Sequence, residues 1–159
     1  MEILVGYDGS DGGPDAPAEE HGPIRTIAVA YDDTAEAKAA LARAEELAIA
    51  CRATIVVLTV SAPPAVVAGA AGYAPAIPLE AGSIVTKTIK SVDERLAATG
   101  RALSGVPGAA IVEACEEAGA DLLVAGSRGY GPLKRVLLGS VSTQLMHQAP
   151  CPVLVVPRP

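Results

Sequence analysis

Phenylalanine and tryptophan are absent from this chain of 159 residues, which leaves four Tyr as its aromatic complement. Half of the residues are nevertheless hydrophobic, so the core must be built from Val, Leu, Ile and Ala. That composition favours α/β layering, in which β-branched strands are covered by Ala/Leu helices. Cysteine is scarce, and Cys51, Cys115 and Cys151 form an odd, scattered set with no C-x-x-C spacing. Both a disulfide framework and a zinc site are thereby disfavoured, and the three are expected to be reduced core residues. No stretch approaches the roughly 20 apolar residues of a membrane span, and the N-terminus lacks the charged region and apolar run of a signal peptide. The expectation is a soluble, cytoplasmic protein with no membrane partner. Acidic residues are missing from the last quarter. After Asp121 there is no Asp or Glu, only Arg128, Lys134, Arg135 and Arg158. The overall charge is −6, which argues against nonspecific nucleic-acid binding, yet the C-terminal segment is locally cationic.

The length suits one domain with a single core. Thr26 to Asp32 (TIAVAYD) reads as a strand, followed by a helix from Ala35 to about Ala50 whose Leu41, Ala44, Leu47 and Ala48 face inward. Asp33 is placed to cap that helix, with Glu36 completing a capping-box-like pair. Ile55 to Val60 (IVVLTV) reads as a strand buried on both faces. Ser61 to Gly82 reads as a long surface loop and Ser83 to Ala98 as a helix through Ile84, Thr88, Val92 and Leu96. A weak strand near Arg101 to Ser104 follows, then a helix over Pro107 to Ala118, a strand over Asp121 to Ala125, a helix over Ser140 to Gln148 and a last strand over Val153 to Val156. Five strands alternating with four helices predict a parallel, doubly wound sheet with helices on both faces.

Residues 1–25 stand outside that scheme as an acidic extension rich in Gly and Pro, and residues 26–159 form the expected domain. The extension repeats the first strand: Ile3, Val5, Tyr7 and Asp8 match Ile27, Val29, Tyr31 and Asp32 at a constant offset. Only the second copy is followed by a helix. The first is either a remnant of a tandem arrangement or an arm that pairs with a sheet edge or a partner chain.

Chemistry concentrates between Gly126 and Ser142. Gly126-Ser127-Arg128-Gly129 follows a strand directly, and Gly139-Ser140 opens a helix. Glycines at a strand end let backbone N–H groups converge, and a helix N-terminus adds unsatisfied donors and a favourable dipole. Taken singly, these glycines read as ordinary turns and the bases as a solvated rim; taken together with Ser127, Ser140 and Ser142, they read as an anion site. In an open parallel sheet the remainder of a nucleotide would lie in the crevice where strand order reverses. Asp32 ends at that crevice, either accepting hydrogen bonds from ribose or adenine or merely flanking the helix. Val60 either offers backbone groups to an adenine edge or belongs to the core.

The spacing Gly126-x2-Gly129-x9-Gly139-Ser140, with the ending APCPVLVVP, resembles the ATP-binding branch of the universal stress protein family from about Thr26 to Pro157. The resemblance implies a Rossmann-like sheet of order 3-2-1-4-5, with ATP, or ADP or AMP, bound with Mg²⁺ at the switch point. It assigns Asp32 and Val60 to adenosine and Gly126, Ser127, Gly129, Gly139, Ser140 and Val141 to the phosphate loop; Arg128 and Ser142, which add a positive charge and a hydroxyl there, are expected to bind the nucleotide with them. It also implies a homodimer through Val153 to Val156. Two departures stand out. The family's usual D-G-S is Asp32-Asp33-Thr34, which adds a carboxylate that would weaken nucleotide binding or help hold a metal. Gly105-Val106-Pro107 lacks the capping Asp of the usual Gly-Asp-Pro.

Enzymatic readings find little support. Ser127 lies in a near match to G-x-S-x-G, but no acid follows it in the chain order of an α/β-hydrolase, and His147 reads as a helix-end residue. There is no G-x4-G-K-[ST], and neither a general base nor an arginine finger is placed for fast hydrolysis. No catalytic and no metal-ligating residues are assigned. The expectation is a nucleotide-binding stress-response or regulatory protein, with a slow ATPase and a nucleotide-free interaction module as alternatives.

Overall fold

The computed structural model describes residues 4–6, 22–61, 79–127 and 140–157. Among the described residues six strands form one sheet: β1 (Leu4–Gly6), β2 (Thr26–Ala30), β3 (Thr54–Ser61), β4 (Ala98–Ser104), β5 (Leu122–Gly126) and β6 (Val153–Val156), in the order β1-β6-β5-β2-β3-β4. The five from β2 onward are parallel and reproduce the expected 3-2-1-4-5 order. The sixth, β1, comes from near the N-terminus and runs antiparallel along the outer edge of β6. The edge expected to meet a second chain is thus paired within this one.

Helices α1 (Ala35–Cys51), α2 (Leu79–Ser91), α3 (Pro107–Ala118) and α4 (Ser140–Gln148) cover the sheet. Because side chains alternate along a strand, each strand feeds both faces. Ile27, Val29, Ile55, Val57 and Val124 pack with Ala40, Leu41, Ala44 and Ala48 of α1. On the other face Ala28, Leu58, Leu123 and Val155 pack with Ile111, Ala114 and Cys115 of α3 and Leu145 of α4. Ala at most inward positions of α1 lets the helix approach closely, which compensates for the missing aromatic rings. The cysteines divide: Cys115 is buried and Cys151 half-buried, and burial pushes their thiols up to about 12 and about 11, whereas Cys51 at the end of α1 is exposed and not a core residue.

Capping corrects one expectation and fulfils another. The N-cap of α1 is Thr34, whose hydroxyl accepts from the Ala37 N–H at 3.2 Å; Asp33 stands one residue too early. At α3 the cap is Val106, 65% exposed and without a side-chain hydrogen bond, ahead of Pro107 in the first turn. Val106 already has the extended backbone of a cap. Val106→Asp is expected to raise stability by about 1 kcal/mol, read in a denaturant titration, by supplying the missing acceptor.

Helix α2 begins earlier and ends earlier than its apolar spacing predicts. It stops at Ser91 because the Asp93 carboxylate accepts the Arg95 backbone N–H at 2.9 Å and pairs with the Arg95 guanidinium at 2.6 Å, closing a turn that sends the chain into β4. Glu45 of α1 receives the Asp93 N–H at 3.0 Å, holding the turn against the first helix. The Arg95 contacts bring the Asp93 pKa down to about 2, below the ordinary carboxylate range. A depressed carboxylate contributes stability that is complete above its unfolded pKa and is lost as pH falls through the folded value. Asp93→Asn is therefore expected to flatten the acid-unfolding profile between about pH 4 and pH 2.

The amino end of the sheet is tied by Asp121, whose carboxylate accepts the N–H groups of Arg25 at 2.8 Å and Thr26 at 2.9 Å. This joins the starts of β2 and β5. Among the described residues no helix is long and apolar enough to cross a membrane.

Candidate functional site

Strand order reverses at β2, which has β3 on one side and β5 on the other. The crossovers from β2 and β5 depart to opposite faces there, which opens a crevice beyond the carboxyl ends. A cleft of about 340 Å³ occupies it, within the range of about 300–1,000 Å³ common for small-molecule sites. Leu58 and Val60 of β3, Ile111 of α3 and Leu145 of α4 give it an apolar wall. Asp32, Thr34 and Glu36 line it from the start of α1, and Ser140, Val141 and Ser142 from the first turn of α4.

The carboxylate of Asp32 is held in place. One of its oxygens accepts from the Thr34 hydroxyl at 2.6 Å and from the Thr34 N–H at 3.3 Å, a local turn that fixes its orientation. The same Thr34 hydroxyl caps α1, so helix start and carboxylate are set together. Opposite, α4 begins at the cleft, and first-turn N–H groups of a helix have no intrahelical acceptor. Ser142 is buried and donates its hydroxyl proton to the Gly126 carbonyl at 3.1 Å, clamping α4 onto the end of β5. Its role is thus to position the helix start.

Gly126 is required by packing. A Cβ there would lie 2.7 Å from the carbonyl carbon and oxygen of Glu36, so the first turn of α1 rests directly on its Cα. That contact brings the starts of α1 and α4 to the same strand end.

Asp33 departs from its expected position. Its φ of +63° is the left-handed conformation that suits glycine, the residue usual at this place in the family the sequence resembles, and that Asp tolerates better than most. The carboxylate is 3.0 Å from Lys38 Nζ and accepts from the Tyr31 hydroxyl at 3.3 Å. The bond to Lys38, above all, lowers the Asp33 pKa, while burial, first among several causes, raises that of Tyr31. Asp33 does not line the cleft. Among the described residues no group of three His, Cys, Asp or Glu is arranged to hold a metal ion.

Of the residues singled out from sequence, Asp32, Val60, Gly126, Ser140, Val141 and Ser142 meet at this cleft. Ser127 lies beside it, buried, with its N–H donated to the Val156 carbonyl at 2.8 Å, so that this backbone donor serves the sheet. Arg128, Gly129 and Gly139 lie outside the described residues. Sequence reasoning missed the apolar wall. Leu58 could have been found two positions before Val60 on the same strand face, and Pro107 and Ile111 one helical turn apart on α3.

The sequence profile described as the universal stress protein family matches residues 23–157. A universal stress protein of Thermus aquaticus, encoded in the 3′ region of a QAH/OAS sulfhydrylase, is 34% identical over 139 residues, covering 84% of this chain and 98% of the relative. One from Methanocaldococcus jannaschii is 51% identical over 57 residues, 36% of this chain, which spans only 34% of that relative's length. Among solved structures, a universal stress protein in complex with cAMP superposes with a TM-score of 0.65 at 25% identity, over 87% of this chain and 100% of the other. The chain belongs to the universal stress protein family.

Proposed function

We propose that the cleft binds an adenine nucleotide, ATP or its ADP and AMP relatives, and that the chain is a cytoplasmic stress-response or regulatory protein whose occupancy alters its conformation or its pairing as a homodimer. The observation that carries this reading is the convergence, at the switch point, of an apolar slot, an anchored carboxylate and a helix start. Leu58, Val60 and Ile111 suit the base, Asp32 suits the ribose hydroxyls, and Ser140 and Val141 offer backbone donors to phosphate. The cAMP held by a structural relative supports adenine as the base. Mg²⁺ is commonly held by substrate phosphates with one or two carboxylates, and Asp32 and Glu36 are the carboxylates that line the cleft among the described residues.

Holding rather than turnover is favoured by the pairing of Asp33 with Lys38, which takes one of the two adjacent carboxylates off the cleft. Calorimetric titration with ATP, ADP and AMP, each with Mg²⁺, is expected to give one site per chain. Undetectable heat with all three would leave an interaction module that carries no nucleotide.

A further inference from the structure

Outside the cleft, the feature with no assigned purpose is β1. Leu4–Gly6 comes from the segment that duplicates the opening of β2, yet it lies antiparallel on β6 at the far edge of the sheet. The edge it covers is defined by hydrogen bonds on the other side of β6. Leu123 N–H donates to the Pro152 carbonyl at 3.0 Å and Ser127 N–H to the Val156 carbonyl at 2.8 Å, so the peptide groups of alternate residues 152, 154 and 156 face β5. Those of Val153 and Val155 consequently point outward. Register places Gly6 opposite Val153 and Leu4 opposite Val155, with Val5 between them opposite Leu154. The peptide groups of Leu4 and Gly6 therefore meet the outward row, while those of Val5 face away.

That row is short. Pro157, next in the outward alternation after Val155, has no N–H to donate. An isologous pairing of two β6 strands would have to use the same groups of Val153 and Val155 in both copies. Cover by β1 and pairing with a second copy are mutually exclusive.

We propose that Leu4–Gly6 is a displaceable cover for the β6 edge, and that its release is what allows two copies of this chain to join through Val153–Val156. The inference rests on the dimer in the functional reading above, not on its nucleotide. Displacement is favoured because β1 is at the lower limit of strand length and contains a glycine, which has much conformational freedom to lose on pairing. The occupant that replaces it, a four-residue run of Val and Leu, pairs β-branched residues across the new strand contact.

The test compares the whole chain with a chain lacking residues 1–21 and with two point variants, by sedimentation and by amide exchange at Val153 and Val155. Gly6→Pro removes a donor that faces β6; Val5→Pro removes one that faces away. Truncation and Gly6→Pro are expected to tighten dimerisation by about tenfold or more, with Val5→Pro close to the parent. In the whole chain, Val153 and Val155 should exchange slowly in the monomer. Equal dimer affinity with and without residues 1–21 would overturn the cover while keeping the dimer. Monomers throughout would overturn both, and neither result bears on nucleotide binding, which calorimetry reads separately.

Discussion

Gly126→Val is expected to lower the melting temperature by about 2–12 °C and to abolish nucleotide binding. The new side chain would meet the carbonyl of Glu36, 2.7 Å from the position of its Cβ, and that carbonyl belongs to the backbone of a helix that is itself packed on the sheet. Nothing there can turn aside. Overpacking of this kind costs about 1–3 kcal/mol and sometimes more. In a chain of this size each kcal/mol corresponds to about 2–4 °C. Gly108 supplies the contrast. A Cβ at Gly108 would meet the side-chain amide of Gln144 at 2.1 Å, but that is the far end of a flexible side chain. Gly108→Ala is expected to displace the amide and leave the melting temperature near that of the parent, since alanine favours the helix by up to about 1 kcal/mol. Equal melting temperatures for Gly126→Val and the parent would mean that α1 does not rest on this strand end.

For Asp32→Ala the expected result is a loss of nucleotide affinity of about 10- to 150-fold, since hydrogen bonds to a charged group contribute about 1.5–3 kcal/mol. Some loss of stability accompanies it, because the carboxylate also orders Thr34, the cap of α1. Thr34→Val separates the two effects. It removes the cap and the anchor but keeps the carboxylate, so its melting temperature should fall with that of Asp32→Ala while its affinity falls less. Undiminished affinity in Asp32→Ala would take the residue out of the site. Single-turnover assays with labelled ATP add a further division: hydrolysis that disappears in an Asp32→Ala protein still able to bind would favour the slow ATPase.

Much of this architecture could be read from the chain because its signals are local. An apolar run ending in Asp32 and another ending in Gly126 each carry their own strand signature, and the parallel alternation brings both to one edge. The boundary of α2 was illegible for a physical reason. Val92 is buried and Leu96 packs against the same cluster, so the four-residue spacing of apolar contacts continues after the backbone has left the helix. The side chain of Asp93 ends α2 by competing for backbone donors, which periodicity does not register. Asp33 was misjudged because a carboxylate beside a site looks like part of it; only its left-handed backbone turns it toward Lys38. The placement of β1 was beyond reach, since three residues of strand do not specify which edge they join.

The central position of β2 also sets the timing of assembly. Its neighbour β5 begins at Leu122, and the Asp121 carboxylate that fastens the two strands lies 96 positions from Arg25. A nascent chain that has emerged only to the end of α3 therefore holds β2 with one flank unsealed, beside β3 alone. Pairing across so long a stretch must close a large loop before it is rewarded, so β5 is expected to join β2 late in folding. The cleft is consequently expected to be among the last parts of the molecule to form, because Gly126 and the first turn of α4, which line it, both follow Leu122 in the chain.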